Sequence, residues 1–277
     1  MRGVLPKLFF VFLWGIFLPG ISLQAQALKK VKEFKAGRIE NVAVDRLGDF
    51  FLVFKDGEIK KYDANGKILA LLKNTNLNGQ RRAPTLLEPW FHPKILVYYQ
   101  QRQQIINYDR NFQNPDIQQL DPSIAIKPLL ACPTNDNKLL VLDGADFSIK
   151  KVNPLNNEVT AEFYIDSAAL RPNFIYMREY QNLIFLLDKN TGIVIYNTVG
   201  KKINQLKTDA NNFGFFGEEL YFLQEGKVVF FDLYTEKIRL VDVGEGKFVL
   251  VTDERILLVK ENGRVALFEF NGKDSPD

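Results

Sequence analysis

Six polar residues stand at one recurring point of the chain: Asn41, Glu88, Lys127, Asn173, Asn212 and Lys247. Each belongs to the entrance of a β-prone run, and each brings an amide, a carboxylate or an ammonium group. If the fold gathers these entrances, the six groups line one mouth and can hold a small ligand. The plainer reading is a set of ordinary polar residues at solvated strand entrances. Other chemistry is thin. The sole histidine, His92, sits in Trp90-Phe91-His92-Pro93, where a structural role is the simpler account, so a Ser-His-Asp arrangement has little to stand on. The sole cysteine, Cys132, lies in Leu130-Ala131-Cys132-Pro133 with no basic neighbour, which suits a small buried apolar residue rather than a reactive thiol. No His/Cys cluster can hold zinc, and no Gly-rich loop can cradle phosphate.

The elements that must position the six residues are legible in the first repeat. Asn41-Val42-Ala43-Val44-Asp45 is followed by Phe50 to Phe54, an Asp56-Gly57 turn, Glu58 to Asp63, an Asn65-Gly66 turn and Lys67 to Leu72. Four short β-prone runs joined by hairpin turns make one antiparallel sheet. One such sheet leaves an apolar face uncovered, and the pattern recurs five more times with a period of about 35 to 46 residues, the size of a propeller blade. The third run of every copy ends on an apolar or aromatic residue and then Asp, Asn or Glu: Tyr62-Asp63, Tyr108-Asp109, Val152-Asn153, Tyr196-Asn197, Phe231-Asp232 and Phe268-Glu269. An Asx side chain at that point can hold the next turn. The sixth copy runs out of chain after its third strand, while Val31 to Lys35 is a strand with no hairpin partner. The spare strand can complete the last blade and remove an open edge. The expected fold is therefore all-β, a six-bladed β-propeller of four-stranded antiparallel blades over residues 28–277, closed by the N-terminal strand. A β-sandwich also uses short alternating strands but does not explain a recurring four-run unit.

On Val42-Ala43-Val44-Asp45, Gly48, Val53, Ile59, Tyr62-Asp63 and Gly66, the chain resembles six-bladed propellers of the NHL and TolB-like kind. The second copy departs most, with Gln100 to Gln104 where a glycine turn belongs. The resemblance extends to lactonases of this fold, which hold a divalent cation at the channel mouth with carboxylate and amide oxygens. It would make Glu88, Asn173 and Asn212 the ligands. Lys127 and Lys247 in the same ring would repel a cation, so no metal is expected, and a carboxylate or phosphate held by the two lysines fits better. A quinone cofactor, as in sugar dehydrogenases of similar shape, calls for a tryptophan-lined channel. Only Trp14 and Trp90 exist, and Trp14 lies in the leader, so no cofactor is expected.

Arg2 and Lys7, the apolar run Leu8 to Leu18, the Pro19-Gly20 break and Ala25-Gln26-Ala27 read as a signal peptide over residues 1–27. The apolar run is short against the roughly 20 residues of a spanning helix, which disfavours a retained anchor. Net charge is +3, and loss of Arg2 and Lys7 leaves +1, a balance that argues against nucleic acid or an anionic membrane surface as partner. The aromatic group Phe213, Phe215, Phe216, Tyr221 and Phe222 is expected to pack inside, the alternative being a sticky patch for a partner. These features together give an exported, monomeric, non-enzymatic propeller that binds an envelope protein or a small anionic ligand in the periplasm or outside the cell. The alternative is an enzyme of the lactonase or sugar-dehydrogenase type, with its site at the channel mouth.

Overall fold

Six four-stranded antiparallel sheets stand in sequence around a channel, and the structure, a computed structural model, describes residues 28–73, 83–89, 94–165 and 172–271. Residues 1–27, expected to be a signal peptide, together with residues 74–82 and His92, lie outside the described residues. The first strand, β1 (Lys30–Lys35), precedes blade 1, which comprises β2 (Ile39–Val44), β3 (Phe50–Phe54), β4 (Ile59–Tyr62) and β5 (Ile68–Leu72). Blade 2 is β6 (Leu86–Glu88), β7 (Ile95–Tyr99), β8 (Gln104–Tyr108) and β9 (Asp116–Gln119). Blade 3 is β10 (Pro128–Pro133), β11 (Leu139–Asp143), β12 (Ser148–Asn153) and β13 (Glu158–Tyr164). Blade 4 is β14 (Phe174–Tyr180), β15 (Leu183–Asp188), β16 (Gly192–Asn197) and β17 (Lys202–Leu206). Blade 5 is β18 (Phe213–Phe216), β19 (Glu219–Gln224), β20 (Lys227–Asp232) and β21 (Ile238–Asp242). Blade 6 takes β22 (Phe248–Val251), β23 (Arg255–Val259) and β24 (Arg264–Glu269) from the end of the chain and β1 from its beginning.

Ring closure is the pairing of β1 with β24, in which Lys30 faces Phe268, Glu33 faces Ala266 and Phe34 faces Val265. The predicted spare strand thus lies where the sequence places it. Glu33 reinforces the seam through Arg264, Lys30 and Lys260. Those neighbours, foremost the hydrogen bond from Lys30, hold its carboxyl down to about 2.

The turns after the third strands follow from their Asx residues. Asp63 Oδ1 accepts from the backbone N–H groups of Asn65 and Lys67, and Asp109, Asn153, Asn197 and Asp232 do the same for the residues that follow them. At the sixth such position the backbone is used instead: Glu269 N–H donates to Lys29 O, so ring closure takes over the work of a turn.

Apolar residues fill the seams between sheets. One cluster joins blades 6 and 1 through Leu52, Val265 and Leu267, and another joins blades 4 and 5 through Phe185, Ile193, Phe213 and Leu220. Phe213, Phe215, Tyr221 and Phe222 are buried and Phe216 is partly buried against Phe230 and Phe270, so this aromatic group is core. Cys132 is fully buried in the large cluster of blades 2 to 4, as its apolar neighbours require.

Candidate functional site

The inner strands run in one sense, so their first residues gather at one mouth of the channel and their last residues at the other. Strand pairing fixes the levels. Asn41 opposite Val53, Leu130 opposite Leu142 and Tyr176 opposite Leu187 lie nearest the first mouth; Ala43, Cys132 and Arg178 lie one step further in. Glu88, opposite Leu96, shares that inner level. The six predicted residues therefore do not form one ring. Asn41, Asn212 and Lys247 converge on the first mouth; Lys127 and Asn173 are exposed just ahead of their strands; Glu88 is buried inside the channel. The expectation of a common level for Glu88 is corrected by its place as the last residue of β6, whereas Asn41 lies in the first half of β2 and Lys127, Asn173, Asn212 and Lys247 precede their strands.

Asn41 Oδ1 accepts from the next backbone N–H, that of Val42, while the other two residues serve the backbone of an adjoining blade. Asn212 Nδ2 donates to Val249 O at 2.6 Å and its Oδ1 accepts from Val249 N–H at 3.2 Å, so one amide extends a ladder from blade 5 to blade 6. Lys247 Nζ donates to Ile39 O at 3.0 Å and stands over the Phe248 ring, joining blade 6 to blade 1. These contacts fix both side chains without closing the space beside them. A cavity of about 690 Å³ remains, with Arg38, Lys55 and Lys247 as its cations, Asn41, Asn211 and Asn212 as its amides, and Tyr176, Phe213 and Phe248 as aromatic lining. Its one carboxylate, Glu40, is paired with Arg38 at 3.3 Å.

Below this cavity, charge crosses the channel. Glu88 of blade 2 and Arg178 of blade 4 are 1% and 4% exposed, and Arg178 Nε lies 3.5 Å from Glu88 Oε2. Tyr176 Oη donates to the same oxygen at 3.2 Å. Burial is the strongest single influence on Arg178 and opposes its cation, but the Glu88 carboxylate together with Tyr176 and Tyr221 outweighs it and leaves the guanidinium raised. Tyr176 is pushed well above its usual value by burial and then by the negative charge of Glu88. Burial likewise raises Cys132, with Glu88 and Glu179 adding to it. Glu179 is raised by burial despite the hydrogen bond from the Asn135 backbone. Tyr176 lines the cavity at the first mouth, whereas Glu88 lines a cavity of about 550 Å³ on the other side, so the Glu88 to Tyr176 bond stands between the two.

The sequence reading missed Tyr176, Arg178, Arg38 and Lys55. One signal was present: Arg178-Glu179 interrupts the otherwise apolar run from Phe174 to Met177, and adjacent charges in an inner strand must find partners or be expelled. Chemically, the crossing pair is a structural tie, and the cavity above it sets cations and amides beside aromatic rings. Among the described residues no group of three or more His, Cys, Asp or Glu is placed to hold a metal ion, and no helix is long and apolar enough to cross a membrane.

No protein-family model matches the chain, and no curated protein matches it either. Solved structures do. The Cps50 (Swd1) β-propeller domain of Myceliophteria thermophila is 10% identical with a TM-score of 0.58, covering 88% of this chain and 100% of that one. The Pan2 WD40 domain of Neurospora crassa is 9% identical with a TM-score of 0.58, covering 92% and 98%. A catalytically inactive virginiamycin B lyase from Staphylococcus aureus, solved with quinupristin, is 14% identical with a TM-score of 0.54, covering 86% and 82%. At these identities the likeness is one of fold: the chain is a β-propeller, and its own blades number six.

Proposed function

We propose that this protein is an exported, non-enzymatic binding module that takes a small organic anion at the first mouth of its channel. The observation that carries this reading is the cavity of about 690 Å³ in which Arg38, Lys55 and Lys247 stand around an aromatic lining of Tyr176, Phe213 and Phe248. A carboxylate or phosphate would meet the cations and the amides of Asn41 and Asn211, while an apolar body would rest on the rings. Export is supported by the leader-like residues 1–27, and kinship with NHL and TolB-like propellers by the first repeat from Val42 to Gly66.

Two experiments test the reading. Titration of benzoate, phenyl phosphate and benzylamine into the mature chain, followed by calorimetry, should give heat for the two anions and none for the amine. An Arg38→Ala and Lys55→Ala double variant should lose the anion response, and equal binding of the amine would overturn the anion assignment. Fractionation of cells that make the full chain, followed by N-terminal sequencing, should find the protein outside the cytoplasm beginning at Leu28; an intact Met1 in the cytoplasm would overturn export.

A further inference from the structure

Every blade ends in an outer strand with one unpaired edge among the described residues, and exposed edges are usually guarded by charge. Five of the six obey. β1 carries Lys30, Lys32, Glu33 and Lys35; β9 carries Asp116; β13 carries Glu158 and Glu162; β17 carries Lys202; β21 carries Arg239 and Asp242. β5 is the exception, since it reads Ile68-Leu69-Ala70-Leu71-Leu72 with no polar side chain. Ile68, Leu69 and Leu71 are 53%, 48% and 39% exposed, so neighbouring residues on both faces of the strand meet water. One edge of β5 is bonded to β4; the other offers backbone groups beside an apolar surface.

We propose that β5 is a docking edge for an extended segment of another protein, one whose apolar stretch is bracketed by acidic residues. The bracketing follows from charge. Lys67 and Lys73, both exposed, stand immediately outside the strand at either end. A second copy of this chain paired antiparallel about Ala70 would set Lys67 against Lys73 at both ends, and like charges directly opposed are destabilising. The same two lysines attract a strand with Asp or Glu at its ends, while backbone hydrogen bonds supply affinity and alternate side chains supply register. β5 is the outermost strand of blade 1, whereas that blade reaches the channel cavity through its innermost strand β2, and the docking edge does not depend on the anion reading.

The test uses the mature chain and two labelled seven-residue peptides with alternating valine and threonine, one bracketed by aspartates and the other by lysines, read by fluorescence anisotropy. The aspartate peptide should bind at least about tenfold tighter than the lysine peptide, a difference of about 1.4 kcal/mol, and the gap should narrow with added salt. A Leu69→Lys and Leu71→Lys variant should lose the aspartate peptide by at least about tenfold. Its thermal midpoint shows whether the blade remains folded, and a Lys67→Glu and Lys73→Glu variant should reverse the peptide preference with both leucines intact. No binding of the aspartate peptide, or equal binding of the two peptides, would overturn the proposal. So would a concentration-dependent dimer abolished by the leucine variant, because the occupant would then be a second copy.

Discussion

Tyr176 Oη donates to Glu88 Oε2 at 3.2 Å from the far side of blade 3, so two inner strands that are not neighbours in the ring are tied through the channel. The same oxygen faces Arg178 Nε at 3.5 Å. Glu88→Leu should therefore cost about 3–5 kcal/mol, because it removes the carboxylate that faces a buried guanidinium. Adding Arg178→Met should restore most of that loss, since a well-packed apolar pair is often neutral against a buried ion pair. Urea denaturation of both variants checks this, and a single substitution costing under about 1 kcal/mol would show that the pair contributes little.

Gly214 stands level with Arg178 on the next blade, where a Cβ would run into Tyr221 Oη and Cζ. Tyr221 is fully buried and cannot withdraw. Gly214→Ala should destabilise by about 1–3 kcal/mol through overpacking. Thermal unfolding reads it, and an unchanged midpoint would mean that the channel has slack at this level.

The ring closure titrates. Glu33, held at about 2 against an ordinary 4.5, binds its proton later in the folded state than in the unfolded one. Its stabilising effect is complete above pH 4.5 and fades as the pH falls toward 2, because there the unfolded state takes up the proton first. The midpoint difference between the wild type and Glu33→Gln should therefore shrink over that window. A constant difference from pH 7 to pH 2 would rule the carboxylate out.

Cys132 is fully buried, and burial holds its thiol well above the usual range. A thiol-specific disulfide reagent should find no reactive group in the native chain at pH 8 and one per chain in denaturant. Rapid labelling of the native protein would contradict the packing of blade 3.

The blades were legible because their signals are local. Asp63, Asp109, Asn153, Asn197 and Asp232 each mark a turn by a side chain that caps its own backbone, and the spare strand around Phe34 announced itself by lacking a hairpin mate. The channel was not legible in the same way. Irregularities between Ile39 and Asn41, Pro128 and Leu130, and Phe174 and Tyr176 each insert a residue, and one inserted residue changes which face the following side chains take. Counting from the strand entrances therefore put Glu88 with Lys127, although pairing sets Glu88 beside Cys132 and Arg178. Its partners Tyr176 and Arg178 lie 88 and 90 positions away, a relationship that no local pattern encodes.

The clasp between Glu33 and Arg264 joins residues 231 positions apart. Glu33 has only Lys30 nearby in sequence until Arg264 and Lys260 reach it, and five sheets can form before the circle shuts. Pairing of β1 with β24, rather than the appearance of any one blade, is thus the step that shuts the ring. A chain truncated before Arg264 would keep most of its sheets and still lack a lock.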